Sequence, residues 1–248
     1  MLIADRLEAK NRLIVALDVE QLGQAESLLD RLLPRVSTFK IGSQLFTSAG
    51  PAAVELVQKR GGRVFLDLKY HDIPNTVAGA VREAVRLGVF MLNVHASGGG
   101  AMMHAAVQAL QDETKSTGMR PIFLAVTVLT SLDRAALQRE LNVPLSVEGH
   151  ALHLARLAKA SGLDGSVASP QEVRTLRNAL GRDWVIVTPG VRSSGVSNDD
   201  QARVATPEAA IRAGADYLVV GRPILEASDP ENAAQAIISA ITDALHDR

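Results

Sequence analysis

Residues 64–88 read Val64-Phe-Leu-Asp-Leu-Lys-Tyr-His-Asp-Ile-Pro-Asn-Thr76, followed by Val77-Ala-Gly-Ala-Val-Arg-Glu-Ala-Val-Arg-Leu-Gly88. The run Val64–Lys69 is short and rich in large apolar residues, which is typical of a buried strand. Apolar residues then recur at helical spacing over Val77–Leu87, behind a proline that suits the first turn of a helix. The segment therefore predicts a strand followed by a helix, the repeating unit of a parallel βαβ fold.

The same alternation recurs on both sides of this segment. The eight strand-like runs are Leu13–Val19, Thr38–Gly42, Val64–Lys69, Phe90–His95, Ile122–Thr130, Leu163–Ser169, Trp184–Gly190 and Tyr217–Arg222. The helical patterns are Gln21–Leu33, Ala52–Arg60, Val77–Leu87, Ala101–Gln111, Val147–Ala160, Pro170–Leu180, Pro207–Ala213 and Asn232–His246. Eight strand–helix units in 248 residues predict an α/β protein with a single (β/α)8 TIM barrel domain over residues 1–248. A doubly wound open sheet is the alternative.

The composition argues against several classes of protein. The formal net charge is −1 and the pI about 6.6, so no overall positive charge would attract nucleic acid or anionic lipid. Aromatic residues make up 3% of the chain and cysteine is absent, which argues against base-stacking surfaces, thiol nucleophiles and cysteine-ligated metals. The chain shows no run typical of a signal peptide or a membrane span. We expect a soluble, cytoplasmic protein.

Charged residues interrupt three of the apolar runs near their carboxyl ends. Asp18 ends the first run, Lys40 lies within the second, and Asp67 and Lys69 lie within the third. Residues 67 and 69 are two apart, so a regular strand would point both to one side. Neighbouring parallel strands end at the same edge, so all four side chains should converge at one mouth of the barrel. Since an unpaired buried charge is costly, the cluster is either a structural ion-pair network or a catalytic site, and its size favours catalysis.

The end of the chain predicts a site for an anion. The eighth run ends in Gly221 and Arg222, and a glycine there allows a ligand to approach the backbone closely. Arg192 follows the seventh run, and the polar segment 193–200 leads to Gln201. Phosphate sites built from the loops after strands 7 and 8 recur in barrels, so we expect a phosphate here. The alternatives are a glycine required for packing and a solvated surface arginine.

Two polar residues at other strand ends have open roles. Thr130 follows the fifth run and either bonds to a ligand amide or caps the next helix. His95 ends the fourth run, where a hydrogen-bonded rim histidine is expected before an acid or base. The other histidines show no spacing typical of metal ligands, so we predict no metal site.

The chain resembles the orotidine 5′-phosphate decarboxylase family, in its compact bacterial form, on two motifs: Asp67-x-Lys69-x-x-Asp72-Ile73-Pro-x-Thr76 and Gly221-Arg222-Pro223. The resemblance extends along the whole chain and includes the strand ends that carry Asp18 and Lys40. It implies conversion of orotidine 5′-phosphate to uridine 5′-phosphate, the last step of de novo pyrimidine nucleotide synthesis. It also implies that no cofactor is used and that the protein is a homodimer.

The resemblance further implies a role for each residue of the motifs. Lys69 would donate a proton to carbon 6 of the pyrimidine, beside Asp67, which would face the departing carboxylate. Lys40 and Asp72 would complete an alternating chain of lysines and aspartates, with Asp72 reaching in from a second subunit. The implied substrate contacts are Asp18, Lys40 and Thr76 at the ribose, Thr130 at the pyrimidine amide, Arg192, Gln201, Gly221 and Arg222 at the phosphate, and Asp67 and Ile73.

These residue types fit the chemistry of such a decarboxylation. Loss of carbon dioxide would leave negative charge on a ring carbon that delocalises it poorly, and a positioned ammonium group stabilises charge where it develops. Asp67 and Asp72 would keep that ammonium protonated. No sequence feature indicates a cofactor that would act as an electron sink. Two other functions remain open: a magnesium-dependent sugar-phosphate decarboxylase or synthase of the same suprafamily, and a phosphate-binding barrel without catalysis.

Overall fold

The computed structural model describes residues 8–192 and 205–247, in which eight parallel strands form a closed barrel in sequence order. The strands are β1 Leu13–Ala16, β2 Thr38–Gly42, β3 Arg63–Tyr70, β4 Met91–His95, β5 Ile122–Val126, β6 Gly165–Val167, β7 Val185–Thr188 and β8 Tyr217–Val220. The helices are α1 Leu22–Leu32, α2 Ser43–Ala49, α3 Pro51–Lys59, α4 Pro74–Arg86, α5 Gly99–Thr117, α6 Arg134–Arg139, α7 Val147–Ala160, α8 Val173–Leu180, α9 Pro207–Ala213, α10 Arg222–Leu225 and α11 Pro230–His246. The predicted barrel is confirmed, and the single domain stays a prediction.

Several predicted boundaries were wrong, and the reasons are local. The fifth and sixth strands are shorter than their apolar runs, because pairing ends where the chain turns into loops at the barrel mouth. The helices α2 and α6 were not predicted, since each buries one leucine and so shows no helical period. Helix α8 begins at Val173 instead of Pro170. Before it, the carboxylate of Glu172 accepts a hydrogen bond from the Ser169 amide at 2.8 Å, which holds a turn in place of a first helical turn.

Alternate strand residues fill the inside of the barrel. This inner cluster consists of Ile14, Ala16, Phe65, Met91, Leu124, Val185, Val187, Tyr217 and Val219. Residues of the opposite parity, such as Val15, Leu66 and Val94, pack outward against the helices. Because side chains alternate along a strand, the inner positions that follow Phe65 and Met91 toward the barrel mouth are residues 67 and 93. The apolar filling of the barrel therefore gives way to polar groups at that end.

Buried charges also lie at the opposite, amino-terminal end of the barrel. Arg177 of α8 forms an ion pair with Asp216, with 2.7 Å between Nη2 and Oδ2. The same carboxylate accepts a hydrogen bond from the Ile186 amide at 2.8 Å. Arg177 also donates to the carbonyl oxygens of Gly214 and Trp184. This base ion pair, Arg177 with Asp216, ties α8 to the loops that precede β7 and β8.

No helix among the described residues is both long enough and apolar enough to span a membrane.

Candidate active site

A cavity of about 510 Å³ opens at the carboxyl ends of the strands. Its walls combine the charged residues of the first three strands with loop residues that follow β5 to β8. The residues predicted for the site that line it are Asp18, Lys40, Asp67, Lys69, Thr130, Arg192, Gly221 and Arg222. The prediction that the charged side chains of the first three strands lie together at one end of the barrel is therefore confirmed. Gln201 and the segment 193–200 lie outside the described residues.

Four of these side chains form a continuous chain of ion pairs, which we call the mouth network. Lys40 Nζ lies 2.9 Å from Asp18 Oδ1 and 3.4 Å from Asp67 Oδ2. Lys69 Nζ lies 2.8 Å from Asp67 Oδ1. Lys40 and Asp67 are each only 8% exposed, whereas Lys69 is partly open to the cavity. Asp67 is thus held between two ammonium groups, and the outer one can approach a ligand.

Gly42 gives Lys40 the space that this arrangement requires. A Cβ atom at residue 42 would lie 3.0 Å from Lys40 Nζ and 3.3 Å from Asp18 Oδ1. Both distances are shorter than ordinary van der Waals contacts, so a side chain there would displace the ion pair. The glycine at the end of β2 is therefore explained by the neighbouring charges.

The two buried groups of the mouth network both favour their charged forms. Burial alone would lower the pKa of Lys40, but the carboxylates of Asp67 and Asp18 outweigh it and raise the pKa above its ordinary value. Burial alone would raise the pKa of Asp67, but Lys40, Lys69 and a hydrogen bond from Asn93 hold the pKa below its ordinary value. At neutral pH the cavity therefore has a fixed ammonium–carboxylate pair in its wall.

The backbone of β3 is irregular where it carries the site. Its pairing with β4 joins Leu66 to Leu92 and Tyr70 to Val94, with a register shift between the two pairs. Lys69 has φ +51°, a left-handed conformation that non-glycine residues seldom adopt. The strand is not regular at this point, but the expectation that Asp67 and Lys69 face the same side holds, since both line the cavity and their charged groups are paired. Their side chains meet across the bulge.

Asn93 was missed as a site residue. It is fully buried on β4, donates from Nδ2 to Asp67 Oδ1 at 2.7 Å, and accepts at Oδ1 from the Lys69 amide at 2.9 Å. The signal was present in the sequence, since Met91, Asn93 and His95 share one face of a strand that is otherwise apolar. A polar residue on that face, beside the charged strand β3, indicates a partner for those charges.

The glycine of the predicted anion site is not required by packing. A Cβ atom at Gly221 would meet Ala16 Cβ at 3.5 Å and Asp18 Oδ2 at 3.6 Å, which are ordinary contacts. The protein would accommodate a side chain there, but that side chain would occupy cavity space between Asp18 and Arg222. The alternative that Gly221 serves helix–strand packing therefore loses its support.

Three predicted residues do not line the cavity of their own chain. Asp72, Ile73 and Thr76 are exposed where α4 begins, and the Asp72 carboxylate accepts a hydrogen bond from the Ile73 amide at 2.6 Å. Ile73 is 68% exposed, an unusual position for a large aliphatic side chain. The structure thus leaves these three residues available for contact outside the chain.

The two open assignments at strand ends also have outcomes. Thr130 lines the cavity, and the cap of α6 is Asp133, whose carboxylate accepts from the Ala136 amide at 2.7 Å. The alternative that Thr130 caps the next helix was therefore wrong. The ring of His95 packs against that of His71, with 5.5 Å between centroids, and the imidazole nitrogens of His95 have no hydrogen bond within residues 8–192 and 205–247. Burial, followed by His71 and Lys69, lowers the pKa of His95, so the ring is neutral at pH 7.

Comparison with known proteins identifies the family of this chain. Residues 11–237 match the model of the family described as "Orotidine 5'-phosphate decarboxylase / HUMPS family". The chain belongs to this family. The family resemblance that the motifs at Asp67 and Gly221 indicated is thereby confirmed over nearly the whole chain.

Individual relatives within the family are close in sequence and structure. An orotidine 5′-phosphate decarboxylase from Moorella thermoacetica is 56% identical over 237 residues, which cover 95% of this chain and 94% of that protein. One from Geotalea uraniireducens is 53% identical over 236 residues, covering 95% and 97%. A crystal structure of orotidine 5′-phosphate decarboxylase from Lactobacillus acidophilus has a TM-score of 0.82 at 39% identity, covering 93% of this chain and 99% of that one.

Proposed function

We propose that this protein is a carboxy-lyase that converts orotidine 5′-phosphate to uridine 5′-phosphate, the last step of de novo pyrimidine nucleotide synthesis. The observation that carries the proposal is the mouth network, which opens into the same cavity as Arg192 and Arg222. A phosphate monoester joined to a carboxylated ring matches a cavity that presents guanidinium groups and an ammonium group. Relatives named for this activity are identical to this chain at more than half of the aligned positions.

The phosphate end of the substrate would bind beside Gly221. Arg192 and Arg222 supply positive charge at the cavity wall, and guanidinium groups form paired hydrogen bonds with phosphate oxygens. Because Gly221 has no side chain, a phosphate can approach the backbone there. We include Gln201 among the phosphate contacts on the resemblance alone. Binding energy gained at this remote group can be used to stabilise the transition state at the ring.

The ribose and base would then extend toward the mouth network. Asp18 and Lys40 would bind ribose hydroxyl groups, and Thr130 would bond to the pyrimidine amide. This order places the reacting ring next to Lys69, whose ammonium group is the member of the network that is partly exposed to the cavity. The substrate carboxylate would lie beside Asp67.

The chemical step uses groups that belong to the chain. The bond between carbon 6 and the carboxylate breaks, carbon dioxide leaves, and the electron pair stays on carbon 6. A fixed ammonium group stabilises this charge as it develops. Lys69 then transfers a proton from Nζ to carbon 6 and regains one from solvent. Asp67, whose charged form is favoured by Lys40, keeps the ammonium of Lys69 oriented before the step.

We also propose that the active form is a homodimer in which each subunit completes the site of the other. Asp72, Ile73 and Thr76 are exposed and lie outside their own cavity, as residues that serve a neighbouring subunit would. Isologous dimers place the same patch on both subunits, so two equivalent sites would form. Mixing the inactive variants Lys69→Ala and Asp72→Ala tests this directly. Subunit exchange at equal amounts would restore up to about a quarter of the sites, whereas no recovery after demonstrated exchange contradicts the shared site.

The decisive experiment for the activity is the loss of orotidylate ultraviolet absorbance with purified protein in EDTA. Turnover in EDTA supports the proposed metal-independent decarboxylase. Turnover only after addition of magnesium would favour the metal-dependent sugar-phosphate branch of the suprafamily. No turnover under either condition, combined with no thermal stabilisation by 6-azauridine monophosphate, would contradict the proposal, because a bound ligand raises stability by mass action.

A further inference from the structure

The side chain of Asn93 joins two parts of the mouth network at once. Its Nδ2 donates to Asp67 Oδ1 at 2.7 Å, and its Oδ1 accepts from the backbone amide of Lys69 at 2.9 Å. Asn93 is fully buried and does not line the cavity. It therefore contacts both reactive residues from behind, on the side away from a substrate.

The orientation of the Asn93 amide is set by chemistry. The Lys69 backbone N–H can only donate a hydrogen bond, so the group that faces it must be the oxygen of Asn93. That leaves the NH2 group for the Asp67 carboxylate, which can only accept when ionised. An asparagine is the side chain of this length that donates on one side and accepts on the other without a charge.

The strand geometry explains why the Lys69 amide needs this partner. Residues 67–69 of β3 lie between two register pairs whose β4 members are Leu92 and Val94, so three residues face the single residue Asn93. The backbone of β4 therefore has too few carbonyl acceptors for all the N–H groups of the bulge. The Asn93 oxygen supplies one, at the residue whose φ of +51° is strained.

We propose that Asn93 is a positioning residue for the reaction, which sets the location of the Lys69 ammonium group and the Asp67 carboxylate with one side chain. It holds Lys69 in the left-handed conformation through the backbone and fixes the rotamer of Asp67 through the carboxylate. This inference rests on the proposed function, since the positions matter only if Lys69 and Asp67 act on a substrate. The distance between the two charges is then set by β4 as well as by β3.

The isosteric variant Asn93→Asp separates positioning from simple packing. When ionised, the introduced carboxylate accepts from the Lys69 amide but repels Asp67. When protonated, it can donate to Asp67 and accept from Lys69, as the amide does. The charged groups around this position are Asp67 and Lys69 on β3 and Lys40 beyond Asp67. The titratable rings of His95 and His71 lie at the rim, and β5 presents the apolar Leu124 opposite.

The experiment measures kcat and KM for orotidylate from pH 5 to pH 9 with wild type, Asn93→Asp, Asn93→Ala and the control Ser166→Ala. Ser166 is fully buried on β6, accepts a hydrogen bond from Trp184 Nε1 at 3.0 Å and does not itself line the cavity. We expect Asn93→Ala to lower kcat by about 100-fold with KM within about threefold, since a misplacement of about 1 Å has that effect. Ser166→Ala should lower the melting temperature and leave kcat and its pH profile unchanged.

The pH profile of Asn93→Asp gives the sharper readout. Its kcat should approach that of wild type at the acidic end and fall as the pH rises, because two neighbouring carboxyl groups bind one shared proton tightly. A ratio of variant to wild-type kcat that stays constant with pH overturns the proposal, as does an Asn93→Ala variant with wild-type kcat. If Asn93→Ala does not fold, the Asn93→Asp profile decides alone. Absence of turnover in the wild-type protein would instead contradict the proposed function. Because the wild type is measured first, this result is distinguished from a failure of the proposal for Asn93.

Discussion

Both ends of this barrel hold buried ion pairs, but the two ends use them differently. At the base, the guanidinium group of Arg177 is occupied by Asp216 and by backbone carbonyl oxygens, and its pairing closes loops. At the mouth, Lys69 Nζ has one carboxylate partner among the described residues, Asp67, and a cavity on its other side. The two ends therefore differ in where their donors point: those of Arg177 bond to acceptors of the protein, whereas the ammonium group of Lys69 also faces a cavity.

The pKa values of the two carboxylates, Asp67 at the mouth and Asp216 at the base, are shifted in opposite directions. Two ammonium groups and the Asn93 amide overcome burial at Asp67 and lower its pKa. At Asp216, burial is the largest effect and raises the pKa, with Arg177 only partly offsetting it. The surroundings of Asp67 at the mouth therefore favour its ionised form, whereas those of Asp216 at the base disfavour it. The following variants test this difference.

The largest expected effect is the loss of turnover in Lys69→Ala. We expect kcat to fall by about 10⁴-fold or more, since the variant loses both the proton donor and the charge that stabilises carbon 6. The free energy of unfolding should change by less than about 1 kcal/mol, because Lys69 is partly exposed and Asp67 keeps Lys40 as a partner. Alanine has a Cβ atom as lysine does, so the strain at φ +51° is the same in both proteins. Steady-state kinetics and urea unfolding measure the two quantities.

The control for that variant is Lys59→Ala, which removes an exposed lysine paired with Glu55 on α3. Its kcat should equal that of wild type. A Lys69→Ala variant that keeps more than a tenth of wild-type kcat would contradict the role of the mouth network.

A smaller effect on turnover is expected for Arg222→Ala. Losing a charged contact to a phosphate should lower kcat/KM by about 100- to 1000-fold, which corresponds to a few kcal/mol of transition-state binding. Stability should change little by comparison. The matched control is Arg212→Ala, whose guanidinium group pairs with Asp247 on the surface. Unchanged kinetics together with a large loss of melting temperature would remove Arg222 from the phosphate site.

At the base, the expected effect is on stability alone. Asp216→Ala leaves Arg177 buried without its carboxylate and should lower the free energy of unfolding by about 3 kcal/mol. At temperatures well below the melting transition, kcat should match wild type, because Asp216 is remote from the cavity lining. Asp112→Ala, which removes an exposed pair with Lys115, should cost less than about 1 kcal/mol. Loss of turnover in a folded Asp216→Ala variant would contradict the claim that the base ion pair contributes to stability alone.

The smallest expected effect is a difference in the pH dependence of stability. The lowered pKa of Asp67 means that its contribution is present above its unfolded pKa, about 3.9, and is lost as the pH falls through the lower folded value. The raised pKa of Asp216 means that its contribution instead increases as the pH falls toward 3.9. Urea unfolding from pH 6 to pH 2.5 should therefore give opposite slopes for wild type minus Asp67→Asn and wild type minus Asp216→Asn. Equal slopes would show that the two carboxylates are not distinguished by their surroundings.

The sequence pattern was sufficient for the barrel because apolar runs and helical periods are local signals. Regular alternation also brought Lys40 and Asp67 to the mouth correctly. It missed the bulge at Lys69, because a register shift depends on how β3 pairs with β4 and leaves no local signal. It could have found Asn93 from its position on the same strand face as Met91 and His95, but the two hydrogen bonds that give Asn93 its role are visible only in the structure. The contacts proposed for Asp72 across a dimer involve a second chain, so they stay predictions.

The most direct test of the difference between the two ends is the ratio of orotidylate decarboxylation rates of Lys69→Ala and Asp216→Asn. Both variants are measured with saturating substrate in EDTA, at a temperature where circular dichroism shows each to be folded. The account predicts that Asp216→Asn decarboxylates at nearly the wild-type rate while Lys69→Ala is slower by about 10⁴-fold. Comparable rates for the two variants would contradict the assignment of catalysis to the mouth network.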